Sequence, residues 1–190
     1  MTKNFDFEGN WKNVTKVESR LKEKKEAKIE IIKELYNLLL INYFSIVESC
    51  LMKIEFNSGE DHPQFKKLDK KYKKLRDDFD KSVGDSMSSN ALSAAELLEG
   101  YVERIIYSED KAKVIPEIEK NLKEKIEYNN NKLEDDREHY EEFPEHYYNN
   151  EEKIEREENE INKIIDGSYY LLDLIDKLKR EEGIVSKEVI

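Results

Sequence analysis

An all-α fold is what this sequence predicts, and three observations carry the prediction. Glycine and proline are scarce, at six and three residues in 190, too few to punctuate the strands and hairpins of a β fold. Charged residues make up 41% of the chain and hydrophobic residues 37%. That balance is lean for a compact globule but normal for long helices with one buried stripe. The apolar residues cluster at helical spacing rather than being diluted along the chain, which argues against wholesale disorder. The expected architecture is a helical bundle over residues ~12–106 with a long antiparallel helical hairpin, coiled-coil-like, over residues ~110–182. Residues 1–108 would form the bundle, 109–183 an acidic hairpin broken near Pro144, and 184–190 a tail.

The first element is expected to start between Asn10 and Thr15. Thr15 and Glu18 match a capping box, in which hydroxyl and carboxylate satisfy backbone N–H groups left open at a helix start. Val14, Val17 and Leu21 share one face, with Phe5, Phe7 and Trp11 placed to cover it, and residues 22–28 are almost wholly charged. From Ile31 to Phe56 the helix is apolar on most sides. Only a narrow polar stripe remains, through Glu30, Glu34, Asn37, Ser45 and Glu48, the pattern of a helix at the centre of a bundle. Its longest uncharged run, residues 35–47, is about thirteen residues. A bilayer span needs ~20, so a core helix is expected and no membrane partner. Asn57, Ser58 and Gly59 end it, and Pro63 suits the first turn of the next helix.

That next helix, 64–81, has the clearest pattern. Phe65, Leu68, Tyr72, Leu75 and Phe79 follow 3-4-3-4 spacing and fall on one face. Lys66, Lys67, Lys70, Lys71, Lys73 and Lys74 occupy most of the rest. Residues 82–90 read as a loop. A third helix follows, with Ala91, Ala94, Leu98, Tyr101 and Ile105 inward and Ser93 and Glu96 as a second capping box. Beyond Ser108 a thin stripe of Ile115, Ile118, Leu122, Ile126, Leu133 and Tyr140 resembles a coiled-coil seam. Phe143-Pro144 should break it, because proline lacks a donor and clashes with the carbonyl four residues back. The apolar pattern resumes at Ile154 and runs through Ile161, Ile164, Ile165, Leu171, Leu172, Ile175 and Leu178 to Gly183, with Gly167 as a possible second break.

Charge is distributed unevenly along this pattern. Residues 1–83 carry 18 Lys/Arg against 15 Asp/Glu, while the chain as a whole has a net charge of −11. Residues 134–160 alone hold thirteen acids and three bases. Like charges gathered on one stretch repel until something opposite meets them.

Motifs for chemistry fail one after another. Gly84-Asp85-Ser86 and Asp136-Arg137-Glu138-His139 resemble fragments of the GDS and DxxH blocks of GDSL-type esterases. That family sets its serine after a strand of an α/β fold, whereas here it follows a basic helix with no GxND-type block between. Asp135, His139, Glu142 and His146 share one helical face at metal-ligand spacing, but Pro144 interrupts that face and no metal is expected. Asp78, Asp80 and Ser82 mimic an EF-hand start, yet Val83 and Ser89 stand where the glycine and the bidentate glutamate belong. There is no phosphate-binding glycine loop, HExxH or CxxC, and the Arg–His spacing of helical HEPN ribonucleases is missing. No cofactor and no enzymatic activity are expected. Cys50 is a lone cysteine, suited to a buried apolar site in a reducing compartment. With no secretory signal in the first ten residues, the expected location is cytoplasmic. The Lys-, Asn-, Ile-, Tyr- and Glu-rich usage hints at an AT-rich coding sequence, as in a low-GC bacterium or its phage.

The function expected from these features is binding. Glu138, Glu141, Glu142, Glu151 and Glu152 flank a tip bearing Phe143, Tyr147 and Tyr148. Large aromatics supply affinity, and charge supplies a steered encounter. The expected partner is a basic protein that handles nucleic acid, inhibited as by an immunity, antitoxin or phage counter-defence protein. The alternative is a coiled-coil scaffold that self-associates, as in a homodimer, through the lysine face and the acidic arm. Direct nucleic-acid binding by that lysine face is a weaker expectation, because the net charge opposes it.

Overall fold

The computed structural model describes residues 7–58, 62–83, 87–143 and 151–184. The fold is all-α, with seven helices and no strand among the described residues: α1 (Phe7–Glu26), α2 (Glu30–Ser58), α3 (Pro63–Val83), α4 (Ser89–Leu97), α5 (Glu99–Tyr107), α6 (Lys111–Glu142) and α7 (Glu151–Glu182). They form two compact units, Met1–Met87 and Ser88–Ile190.

The first unit is an up-down-up bundle of α1, α2 and α3. Tyr36 Oη donates to Glu23 at 3.1 Å, and the Lys16 ammonium sits 4.0 Å from the centre of the Tyr43 ring, so α2 runs back along α1. Lys71 pairs with Glu18 at 2.7 Å and Lys24 with Ser82 at 2.8 Å, which sets α3 parallel to α1. α1 already includes Phe7, so Thr15 is not its cap. The Thr15 hydroxyl instead donates to the Trp11 carbonyl at 2.9 Å within the helix. The chain then turns at residues 27–29.

α2 is the central helix. Leu35, Leu38, Leu39, Leu40 and Phe44 are all fully buried, each such side chain contributing about 1.5–3 kcal/mol of burial. By length and composition the stretch Glu30–Phe56 is apolar enough to cross a membrane, yet half of it is buried inside the protein. Cys50, expected to be buried, is only partly so. All five apolar residues of α3 are buried as their spacing predicts. Phe44 meets Tyr72 edge-on and Phe79 at 5.2 Å between ring centres.

The second unit is built from α4 to α7. The third helix was expected to belong to the bundle of residues ~12–106, but α4 packs on α7 and α5 on α6. The unit boundary therefore falls between Met87 and Ser88 rather than near residue 108. The reason lies in side-chain size. Ala91, Ala94 and Ala95 are buried on α4, and Gly167 of α7 lies so close to the Ser93–Ala94 backbone that a methyl group there would be 2.9 Å from the Ala94 nitrogen. Gly167 thus marks no break: α7 continues through it. Ser88, not Ser93, caps α4, its Oγ accepting from the Ala91 amide at 3.2 Å, while Ser93 is buried in the helix interior. The expected single third helix is divided at Leu98, whose φ of −125° and ψ of 18° leave the helical region.

α6 and α7 run antiparallel. Lys179 pairs with Glu119 at 2.9 Å near one end, and Arg137 with Glu158 at 3.0 Å near the other. Ile126, Leu133, Ile161 and Ile165 form the apolar cluster between these points. Asn129 is buried in the same seam, its amide donating to the Lys125 carbonyl at 2.7 Å. α6 starts at Asp110, whose carboxylate accepts from the Lys113 amide. α7 ends at Gly183 with φ of 65°, where the Ile184 amide returns to the Lys179 carbonyl at 3.0 Å. This is the left-handed glycine stop in which the residue after the glycine bonds back across the last turn.

Candidate functional site

The acidic surface is assembled on the paired ends of α6 and α7. Their apolar stripes face each other, so the remaining positions point outward. Glu134, Asp135, Glu138, Glu141, Glu142 and Glu152 are exposed. Among the described residues none of these six takes part in a hydrogen bond or an ion pair. The bases that do intervene are few: Arg137 reaches across to Glu158 at 3.0 Å, and Lys153 and Lys163 pair with Glu157 and Glu160 on α7 itself. Lys163 is held above its ordinary value by its hydrogen bond to Glu160.

An open groove of about 400 Å³ runs along α6, lined by Asn130, Leu133, Glu134, Arg137, Glu138 and Glu141. A second, of about 500 Å³, lies on α7, with Glu152, Glu155, Glu160 and Asp166 beside Arg156 and Lys163. Neither is an enclosed cavity suited to a small substrate. Both present carboxylates, those on α6 beside Leu133.

Of the expected aromatic contacts, Phe143 follows α6 directly, half-buried, with its ring 5.1 Å from that of His139. Tyr147 and Tyr148 lie outside the described residues, as do His146, Gly84, Asp85 and Ser86, and the side chain of Glu151 is likewise outside them. The esterase-like serine and the fourth member of the Asp135–His139–Glu142–His146 set therefore have no described geometry. Among the described residues no three His, Cys, Asp or Glu side chains converge as metal ligands.

The lysine face of α3 is a separate surface on the first unit. Lys66, Lys67, Lys70, Lys73 and Lys74 are exposed and Lys71 is half-buried. Lys71 pairs with Glu18 of α1 and Lys73 with Asp69 one turn earlier. Lys67 and Lys71 also stand 5.6 and 5.8 Å from the centre of the Trp11 ring. Sequence reasoning treated this face as belonging to α3 alone. It missed that α1 adds Lys22 and Lys25 to the same groove, and that Lys24 is buried. Burial first, and then the neighbouring Lys33 and Lys25, lower the Lys24 ammonium below its ordinary value. The only signal was the register of a charged run, legible once its face toward α3 is known.

Comparison with protein-family models, with curated proteins and with solved structures returns no match. The geometry of these surfaces is thus the whole basis for a functional reading.

Proposed function

We propose that the protein is a non-enzymatic binding protein whose acidic α6–α7 end docks onto a cationic surface of another protein. The observation that carries this reading is the row of six exposed carboxylates that have no counter-ion among the described residues, beside the partly covered Phe143 ring. Bringing such carboxylates together is unfavourable in the isolated chain and is relieved when a basic surface meets them. A partner built to hold phosphates supplies that surface, so a nucleic-acid-handling protein is the expected target. The effect on it would be occlusion of its charged channel, with Glu138, Glu141, Glu142, Glu151 and Glu152 in place of phosphates and Phe143, Tyr147 and Tyr148 as apolar anchors.

The test is paired affinity capture from the source organism. The wild-type chain is compared with a variant in which the five glutamates are changed to lysine. The expected result is a basic, nucleic-acid-handling protein retained by the first and lost by the second. Identical captured sets would sink the reading. A second reading, self-association of a scaffold through charge, draws on the opposite signs of the lysine face and the acidic arms. Sedimentation at low and high salt distinguishes it, since a salt-sensitive dimer is expected there and a salt-insensitive monomer under the first reading.

A further inference from the structure

The lysines of α3 are half of a groove, and α1 supplies the other half. Within the first unit a cleft of about 370 Å³ runs between the two parallel helices. Its floor is Leu21 and Leu75, and its walls carry Lys22 and Lys25 from α1 facing Lys71 and Lys74 from α3, with Glu18 and Asp78 beside them. Glu18 is engaged by Lys71 at 2.7 Å. Among the described residues Lys25 and Lys74 have no ion pair, and Lys22 has only a long one, 3.9 Å to Glu26. Exposed Lys67 and Lys70 continue the positive rank one turn further along α3. At this end the half-buried Trp11 ring lies beside Lys67 and Lys71.

We propose that this α1–α3 groove binds the backbone of single-stranded nucleic acid, with Lys22, Lys25, Lys71 and Lys74 on phosphates and Trp11 as the adjoining ring on which a base stacks. Two ranks of ammoniums spaced by helical turns, about 5–6 Å apart, suit a chain of regularly spaced anions better than one compact anion. A positively charged groove plus an aromatic ring is the combination by which single strands are held without sequence preference. The net charge of −11 does not forbid this. Residues 1–83 are themselves net positive, and charges further than about 8 Å away are largely screened at physiological salt. The site is on the other unit from the acidic surface and does not rest on the proposed function.

Trp11 is the only tryptophan in the chain, so its emission reports on the end of the groove where Lys67 and Lys71 stand beside it. The experiment titrates the full chain with a dye-labelled twelve-nucleotide oligo-dT, reading anisotropy and Trp11 fluorescence together from ~20 to ~200 mM salt. The expected result is quenching that tracks binding, with a log–log salt slope of about −3 for four phosphates on a single strand. Changing Lys22, Lys25 and Lys74 together to glutamine is expected to weaken binding at least tenfold and to flatten the slope by about 2. These side chains are exposed, and an unchanged circular-dichroism melt confirms the fold.

The proposal is overturned by no anisotropy change at ~20 mM salt with micromolar protein, or by unaltered affinity in the triple variant. Equal or tighter binding of a duplex, or equal displacement by poly-glutamate, would overturn it as well. Reversing the five α6–α7 glutamates is expected not to weaken oligonucleotide binding, so this inference and the proposed function fail separately.

Discussion

The two units solve the same packing problem with opposite materials. α1–α3 close around large side chains, with Phe44, Tyr72 and Phe79 meeting ring to ring. α4 and α7 instead bring two backbones together over Ala91, Ala94, Ala95, Gly167 and Ser168. Their surfaces differ as much. On the first unit Lys71 is answered across helices by Glu18, whereas the α6–α7 end keeps six exposed carboxylates with no counter-ion among the described residues. The contrast teaches that an amphipathic stripe alone does not say how near a neighbour will come. The bulk of the stripe residues does, and the unused face then decides what the surface can recruit.

The comparison can be broken most directly at Phe44. Phe44→Ala removes a fully buried ring from the first unit, and a loss of about 3–5 kcal/mol is expected in denaturant unfolding. Hydrogen exchange should rise through α1–α3 and stay low in α4–α7; an equal rise in both would erase the distinction between the units. Next in size is Gly167→Ala. A methyl at 2.9 Å from the Ala94 nitrogen meets backbone, which cannot swing aside, so a cost of about 1–3 kcal/mol is expected. Gly100→Ala is its control. Nothing lies within 4 Å of the added methyl there, and a gain of about 0.4–1 kcal/mol is expected from the stiffer unfolded chain. Thermal melts showing both alanines neutral would mean that close backbone approach is not what joins α4 to α7.

A smaller effect concerns pH. Lys24 is 7% exposed, and its ammonium is lowered from 10.5 by burial, then by Lys33 and Lys25. Between the lowered value and 10.5 the unfolded chain binds this proton more tightly, so stability rises with pH across that window. Tyr72 works the other way. Burial, and then Glu48, raise its phenol above 10.0, so the unfolded chain ionises first and stability falls as pH climbs past 10.0. Lys24→Met is expected to be the more stable at neutral pH and to lose the climb while keeping the alkaline decline. Parallel pH–melting curves for the two proteins would refute that assignment. Smallest of all, raising salt from ~10 to ~150 mM should protect α6–α7 by a few tenths of a kcal/mol while leaving α1–α3 nearly unchanged. A uniform shift by hydrogen exchange would show that the exposed carboxylates carry no self-repulsion.

Much of the helical content was legible, and for identifiable reasons. α3 could be read residue by residue because a 3-4-3-4 stripe stands against lysines, with no ambiguity of period. α2 was legible as a core helix because its apolar residues leave almost no polar face. The turn at residues 27–29 was not, because Ala27 and Lys28 favour helices and no glycine, proline or asparagine announces the reversal. Gly167 was misjudged for the opposite reason. Glycine in a helix weakens it locally, and only the position of Ala94 reveals that the missing side chain admits a neighbour. The acidic surface was visible as composition, but its groove and its cross-pair Arg137–Glu158 depend on which faces α6 and α7 turn inward. The groove shared by α1 and α3 was invisible for the same cause, since no local signal tells Lys22 and Lys25 that Lys71 and Lys74 lie opposite.

Asn129 brings its own partner into the α6 seam. Its amide is enclosed where every other fully covered position of that helix is aliphatic, and it is answered by the Lys125 carbonyl one turn earlier on the same helix. Its polarity is thus settled before α7 arrives, and a valine in its place should leave the pairing of α6 with α7 as it is, the replaced side chain trading a local hydrogen bond for apolar contact.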